Sequence, residues 1–172
     1  MIPASWTSLD RYWSSRLLLD ERAAILQRAA AVVARSGDSW VCILALVLVY
    51  WLLPEWRTEA ASVLIAVGAI AIIVLLVKLV VKRKRPEGSW GTIYRKIDPH
   101  SFPSGHAART FMLALLIPAL GPIWLAPPLI VWALAVAAAR VGKGVHFLSD
   151  VAAGALLGLA TGLAAIMLQG LF

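Results

Sequence analysis

The amino-acid sequence predicts an all-α integral membrane protein, with about five transmembrane helices preceded by an N-terminal amphipathic helix lying in the membrane interface. Composition is the first ground. Of 172 residues, 61% are hydrophobic and only 15% charged, with a mean hydropathy of +0.84, whereas soluble domains hold apolar residues to about half. The second ground is distribution, because long apolar runs are separated by short stretches rich in Pro, Gly and charge. The third is the placing of the formal +7 charge, which falls between the runs instead of forming a solvated basic domain. That placing argues against nucleic acid and for anionic lipid headgroups or a phosphorylated ligand.

The elements follow in order. Residues 1–36 form the expected interfacial segment and residues 37–172 the transmembrane domain. Over about 9–34, Leu17, Leu18, Ala24, Ile25 and Leu26 are mixed with Arg11, Arg16, Asp20, Glu21, Arg22 and Arg28. This reads as a helix too charged to cross a bilayer, lying in the interface or packed as a soluble helix on the loops. The same charges interrupt the apolar core that a cleavable signal peptide needs. Gly37-Asp38-Ser39 breaks the pattern and can cap the next helix.

Five apolar spans are expected at 39–53, 60–81, 104–120, 123–139 and 150–172. The first stops at Pro54 and is short for a hydrocarbon core of ~30 Å, so it should extend beyond its apolar run. Trp40, Trp51, Trp56 and Trp124 fall near span ends, where indole rings favour the interface. Gly154, Gly158 and Gly162 recur every four residues and give the last helix a face that a neighbour can approach closely. The single Cys42 leaves neither a disulfide framework nor a cysteine metal site.

Polar groups at the ends of such spans are costly and invite a functional reading. They fall in three blocks. Lys78 and Arg85 lie seven residues apart, so a continuous helix puts them on one face before Pro86 ends it. Two fixed cations suit a phosphate, although Lys82, Arg83 and Lys84 beside them also read as a plain stop-transfer cluster. Pro103-Ser104-Gly105-His106 opens the third span, where an N-cap serine, a glycine and free N–H groups suit an anion and a histidine could supply a proton. An ordinary capped helix with an interfacial histidine is the other reading. The third block is Arg140, His146 and Asp150. His146 and Asp150 would stack on one helical face, the carboxylate fixing the imidazole tautomer and freeing the other nitrogen to attack, or they would form a structural pair capping the last span.

Helices joined by short loops alternate in direction. The end of the second span and the start of the third therefore share a membrane face with the end of the fourth and the start of the fifth. All three blocks converge at one depth.

In order and spacing these residues resemble the signature of the type-2 phosphatidic acid phosphatase superfamily, the lipid phosphate phosphatases: Lys78, Arg85-Pro86, Pro103-Ser104-Gly105-His106, then Arg140, His146 and Asp150. The similarity covers about 75–158, and Ala139 stands where the family usually has Ser. The resemblance implies a membrane lipid phosphatase in which His146 attacks phosphorus, Asp150 orients it and His106 serves as acid and then base. It further implies that Lys78, Arg85 and Arg140, with Ser104 and the Gly105 N–H, hold the phosphoryl oxygens. It implies no metal and no cofactor. His100 is expected to be a loop residue and Arg109 to neutralise a neighbour or a lipid phosphate.

The expected partners are a lipid phosphate substrate and the surrounding membrane lipids, in a multi-pass protein of the cell (inner) membrane. Phosphatidylglycerol phosphate, phosphatidate and polyprenyl phosphates or diphosphates all fit, and oligomeric state is not legible. Fifteen of the 16 Lys and Arg residues lie on the side of the site, Arg57 alone opposite. The positive-inside rule turns that side towards the cytoplasm, whereas members of the resembled family in bacteria usually face outwards. A non-catalytic anionic-lipid-binding or lipid-transport protein is the alternative; it would need the basic cluster but not His106, His146 and Asp150 together.

Overall fold

The computed structural model describes residues 4–20, 22–86 and 98–169. Glu21, Arg95, Lys96 and Phe172 fall outside the described residues. All regular structure among them is helical, apart from one isolated antiparallel bridge between Lys84 and His100.

The N-terminal segment differs from the single helix expected over 9–34. It forms two, α1 (Ala4–Arg16) and α2 (Ala24–Ser36). The break has a local cause. Leu19 N–H donates to the Gly142 carbonyl at 2.8 Å, and the Asp20 carboxylate accepts from Arg22 N–H at 2.9 Å. These bonds compete with the helical ladder and turn the chain.

Helix α3 (Ser39–Leu52) follows α2 after a bend of 53°. The Gly37 N–H bonds back to Ala34 O and the Asp38 N–H to Arg35 O. After a 3-10 turn at Pro54–Trp56, α4 spans Arg57–Val81. It ends at Lys82, whose left-handed φ of 49° lets its N–H close on the Lys78 carbonyl. The helix therefore stops before Arg85, and Pro86 is not what ends it. Lys78 and Arg85 do not share a helical face. The chain instead runs extended, with Ser101 N–H donating to the Arg83 carbonyl at 2.8 Å.

Helix α5 (Gly105–Leu120) is the centre of the bundle, packed against α4, α6 (Ala126–Gly142) and α7 (Leu148–Gln169). Its Ala107, Ala108, Thr110, Met112 and Leu116 are wholly buried. Small residues bring α7 against it. A Cβ on Gly158 would lie 2.0 Å from Ala108 O, and one on Gly154 would lie 2.4 Å from Ser104 O. Only glycine allows that approach. Outward faces are apolar too, with Ile65, Ile72, Leu76 and Val80 on α4 and Leu156 and Leu163 on α7 exposed, as suits helices surrounded by lipid.

Among the described residues three helical stretches are long and apolar enough to cross a membrane, Pro54–Val81, Ile123–Gly142 and Leu148–Gln169; a fourth arises if the bent pair α2 and α3 is one span. At 14 and 16 residues, α3 and α5 are shorter than the ~20 residues a full crossing asks for. The protein is an all-helical, multi-pass membrane protein, but five spans is not the number that helix length alone supports.

Candidate active site

The site lies at the end of the bundle where α4 stops, α5 begins, α6 stops and α7 begins. Lys78, in the last turn of α4, is buried, and its Nζ pairs with the Asp98 carboxylate. Arg85 is also buried and reaches the same carboxylate, Nη2 to Oδ2 at 2.8 Å, while its Nε donates to Asp98 O at 2.8 Å. One carboxylate thus holds two cations that would otherwise repel. Arg140, 2% exposed in the last turn of α6, faces the same space.

Arg85 also defines the state of His146. Its Nη1 donates to Val145 O at 2.9 Å and stands 3.2 Å from His146 Nε2. A guanidinium has no acceptor, so the contact makes Nε2 the nitrogen with the lone pair and puts the ring proton on Nδ1. Nδ1 in turn faces Asp150 Oδ2 at 3.6 Å, close enough for attraction but beyond hydrogen-bond range. His146 lies in the loop before α7 and not on the helix with Asp150, so the expected stacking on one helical face does not occur. Burial first, then the nearby Arg140, Arg85 and Lys78, push its pKa well below the ordinary 6.5, so the imidazole is neutral. Asp150 is wholly buried in the first turn of α7. Its Oδ2 accepts from Phe147 N–H at 2.9 Å and its Oδ1 from Arg83 at 2.7 Å.

His106 is the second residue of α5. Its Nε2 meets Asp38 Oδ1 at 2.6 Å. Asp38 was expected to cap α3, yet its side chain makes no cap bond and serves the histidine instead. Arg109 donates to Gly37 O from Nε at 3.1 Å and to Ser39 Oγ at 2.7 Å, so it pins the α2–α3 bend beside the cavity that it also borders. Ser104 is buried at the N-cap with its Oγ 3.5 Å from Ala107 N, and its own N–H donates to Asp150 O at 2.9 Å.

Lys78, Arg85, Gly105, His106, Arg140 and His146 all border one cavity of about 500 Å³. Ser104 and Asp150 stand behind that wall, and His100 is part of it. A second cavity of about 760 Å³ lies between α1, the 83–86 stretch and the 144–147 loop, with His146 on its border too. Among the described residues no group of three or more His, Cys, Asp and Glu side chains is placed to hold a metal ion.

Four residues that sequence reasoning passed over belong to the constellation: Asp98, Asp38, Arg83 and Asp10. Asp38 sat in a turn pattern and Arg83 in a run of basic residues, each with an ordinary explanation. Asp98 and Asp10 carry no local signal, because their partners are 20 and 73 positions away.

Helices that are apolar outside and enclose a chamber bordered by Lys78, Arg85, Arg109 and Arg140 and by three imidazoles define a polytopic membrane protein with a cationic cavity at one end of its bundle. The chain belongs to the PAP2 superfamily, whose family model matches residues 59–171. It is 38% identical over 115 residues to the decaprenylphosphoryl-5-phosphoribose phosphatase of Mycobacterium tuberculosis strain H37Rv, a match covering 63% of this chain and 58% of the relative. The chain thus spans less than two thirds of that relative's length. In fold it is similar to a transmembrane PAP2-type phosphatidylglycerolphosphate phosphatase from Bacillus subtilis, with TM-score 0.81, 21% identity, and 99% of this chain and 89% of that one covered. It is also similar to LpxE of Aquifex aeolicus, with TM-score 0.72, 22% identity and 94% of each chain covered.

Proposed function

We propose that the chain is a membrane lipid phosphatase that cleaves a phosphomonoester or diphosphate through a phosphohistidine on His146. One observation carries the reading: an imidazole whose Nε2 carries the lone pair, with Arg85 beside it, borders a chamber shared with Lys78, Arg140 and His106. The cations supply the charge stabilisation on which phosphoryl transfer chiefly depends.

In the first step the Nε2 lone pair of His146 forms a bond to phosphorus as the bond to the leaving oxygen breaks. His106 gives that oxygen its proton. Asp38 holds Nε2 of His106, so proton transfer falls to Nδ1. Asp150 offsets the positive charge that appears on the phosphorylated imidazole. In the second step His106 takes a proton from water, whose oxygen attacks phosphorus. The P–N bond breaks, freeing phosphate and restoring neutral His146. Lys78, Arg85, Arg140 and the Gly105 N–H hold the phosphoryl oxygens, with Ser104 fixing the start of α5 behind them.

The substrate is a lipid with a terminal phosphate: phosphatidylglycerol phosphate, phosphatidate, a polyprenyl phosphate or diphosphate, or a polyprenyl-linked sugar phosphate. The name of the curated relative favours the polyprenyl class, and a chamber at the end of lipid-facing helices suits any of them.

Phosphate release from purified protein, measured across these lipids with a chelator present, tests the proposal. Wild type should turn over at least one and trap acid-labile phosphate. His146→Ala should lose activity by several orders of magnitude while keeping its helical content. A variant as active as wild type overturns the mechanism, and lipid binding without release by wild type favours the non-catalytic alternative.

A further inference from the structure

The N-terminal helix is joined to the nucleophile through buried charge. Arg83, 12% exposed, lies between two carboxylates: Nη2 meets Asp10 Oδ2 at 2.6 Å and Nη1 meets Asp150 Oδ1 at 2.7 Å. Its guanidinium carbon sits 4.2 Å from the centre of the Phe147 ring, which fixes the plane of the fork. Asp10 is itself seated on the start of α7. Its Oδ1 accepts from Ser149 N–H at 3.1 Å and its Oδ2 from the Ser149 hydroxyl. Four residues along α1, Ser14 Oγ accepts from Leu148 N–H at 2.9 Å.

We propose that Asp10 is a positioning residue of the active site, acting through Arg83 and Asp150 on His146. This rests on the phosphohistidine reading. An arginine paired with Asp150 alone would cancel the negative charge that the phosphorylated imidazole needs beside it. Shared with Asp10, the same guanidinium anchors Asp150 while neutralising it only in part. The fork is held between the two carboxylates and the Ser149 hydroxyl, which Nη1 also reaches at 2.6 Å and which itself donates to Asp10. Without Asp10 it is free to close on both oxygens of Asp150 and draw Oδ2 from His146 Nδ1, already 3.6 Å away. In this way α1, which precedes the matched family region of 59–171, becomes part of the catalytic apparatus.

Full-length protein in detergent micelles or phospholipid vesicles provides the test, using the best substrate from the phosphate-release panel. Asp10→Asn keeps the shape and an acceptor but removes the charge. It should lower kcat roughly 10- to 100-fold with KM nearly unchanged, and Asp10→Glu should recover most of the loss. Ser14→Ala removes an α1 contact of the same kind without altering charge, and should stay close to wild type. Equal kcat in Asp10→Asn and wild type overturns the proposal. So does an equal loss in Ser14→Ala, which would reduce α1 to a docking role. Absence of phosphate release by wild type refutes the phosphatase reading itself and is told apart from both.

Discussion

His146 shows how a few neighbours can set the protonation of one ring. The buried imidazole is surrounded by Arg140, Arg85 and Lys78, with Asp150 the nearest carboxylate. Each cation penalises a second ring proton, and burial penalises it further. Because the folded pKa lies below 6.5, the folded protein binds fewer protons at this ring than the unfolded chain does. The associated stability is present above the ordinary pKa and is lost as pH falls through the folded one. A ring-resolved NMR titration of ligand-free protein should therefore find His146 unprotonated at about pH 6; a midpoint at the ordinary imidazole value or higher contradicts this. A bound phosphate dianion, by offsetting the cations, should move the midpoint up.

At the level of elements, most of what positions the site could be read from spacing. The apolar runs located α3 to α7 to within a few residues, and the Gly154, Gly158 and Gly162 stripe was assigned to helix contact, where the structure has it. What could not be read depends on partners distant in the chain. The split of α1 from α2 follows from a bond to Gly142, and Asp38 turns from capping because His106 lies opposite. The apolar run gave the end of α4 at Val81, while Pro86 suggested a helix continuing through Arg85, which the left-handed Lys82 rules out. The α5–α7 contact yields a sharp contrast. Gly158→Ala forces a methyl against the Ala108 carbonyl, whereas Gly68→Ala on α4 meets nothing within 4 Å. Overpacking of this sort costs about 1–3 kcal/mol or more. Gly158→Ala should lower the unfolding temperature in detergent clearly, and Gly68→Ala should leave it unchanged; equal behaviour would mean that the two helices adjust to the added carbon.

Considered as a whole, the molecule places its basic residues at one end. Lys82, Arg83, Lys84 and Lys143 lie with the site, and Arg57 begins α4 at the other end. Several of the cations are consumed internally. Arg83 is paired with Asp10 and Asp150, Arg85 and Lys78 with Asp98, and Arg109 with the α2–α3 bend. The remaining bias still favours a cytoplasmic site, the orientation expected from the sequence. A reporter fused after Phe172 should then be active only outside the cytoplasm, and cytoplasmic activity there would reverse the assignment.

The brevity of α5 bears on how a lipid gets in. Its 16 residues rise about 24 Å, while the hydrocarbon layer is ~30 Å deep. The far end is fixed near exposed Trp124, which suits the water boundary. A helix of that length leaves the end that carries His106 about 6 Å short of a full crossing. On the lipid-phosphatase proposal, that shortfall is the depth a phosphorylated headgroup has to dip to reach the cavity sideways between helices without leaving its leaflet.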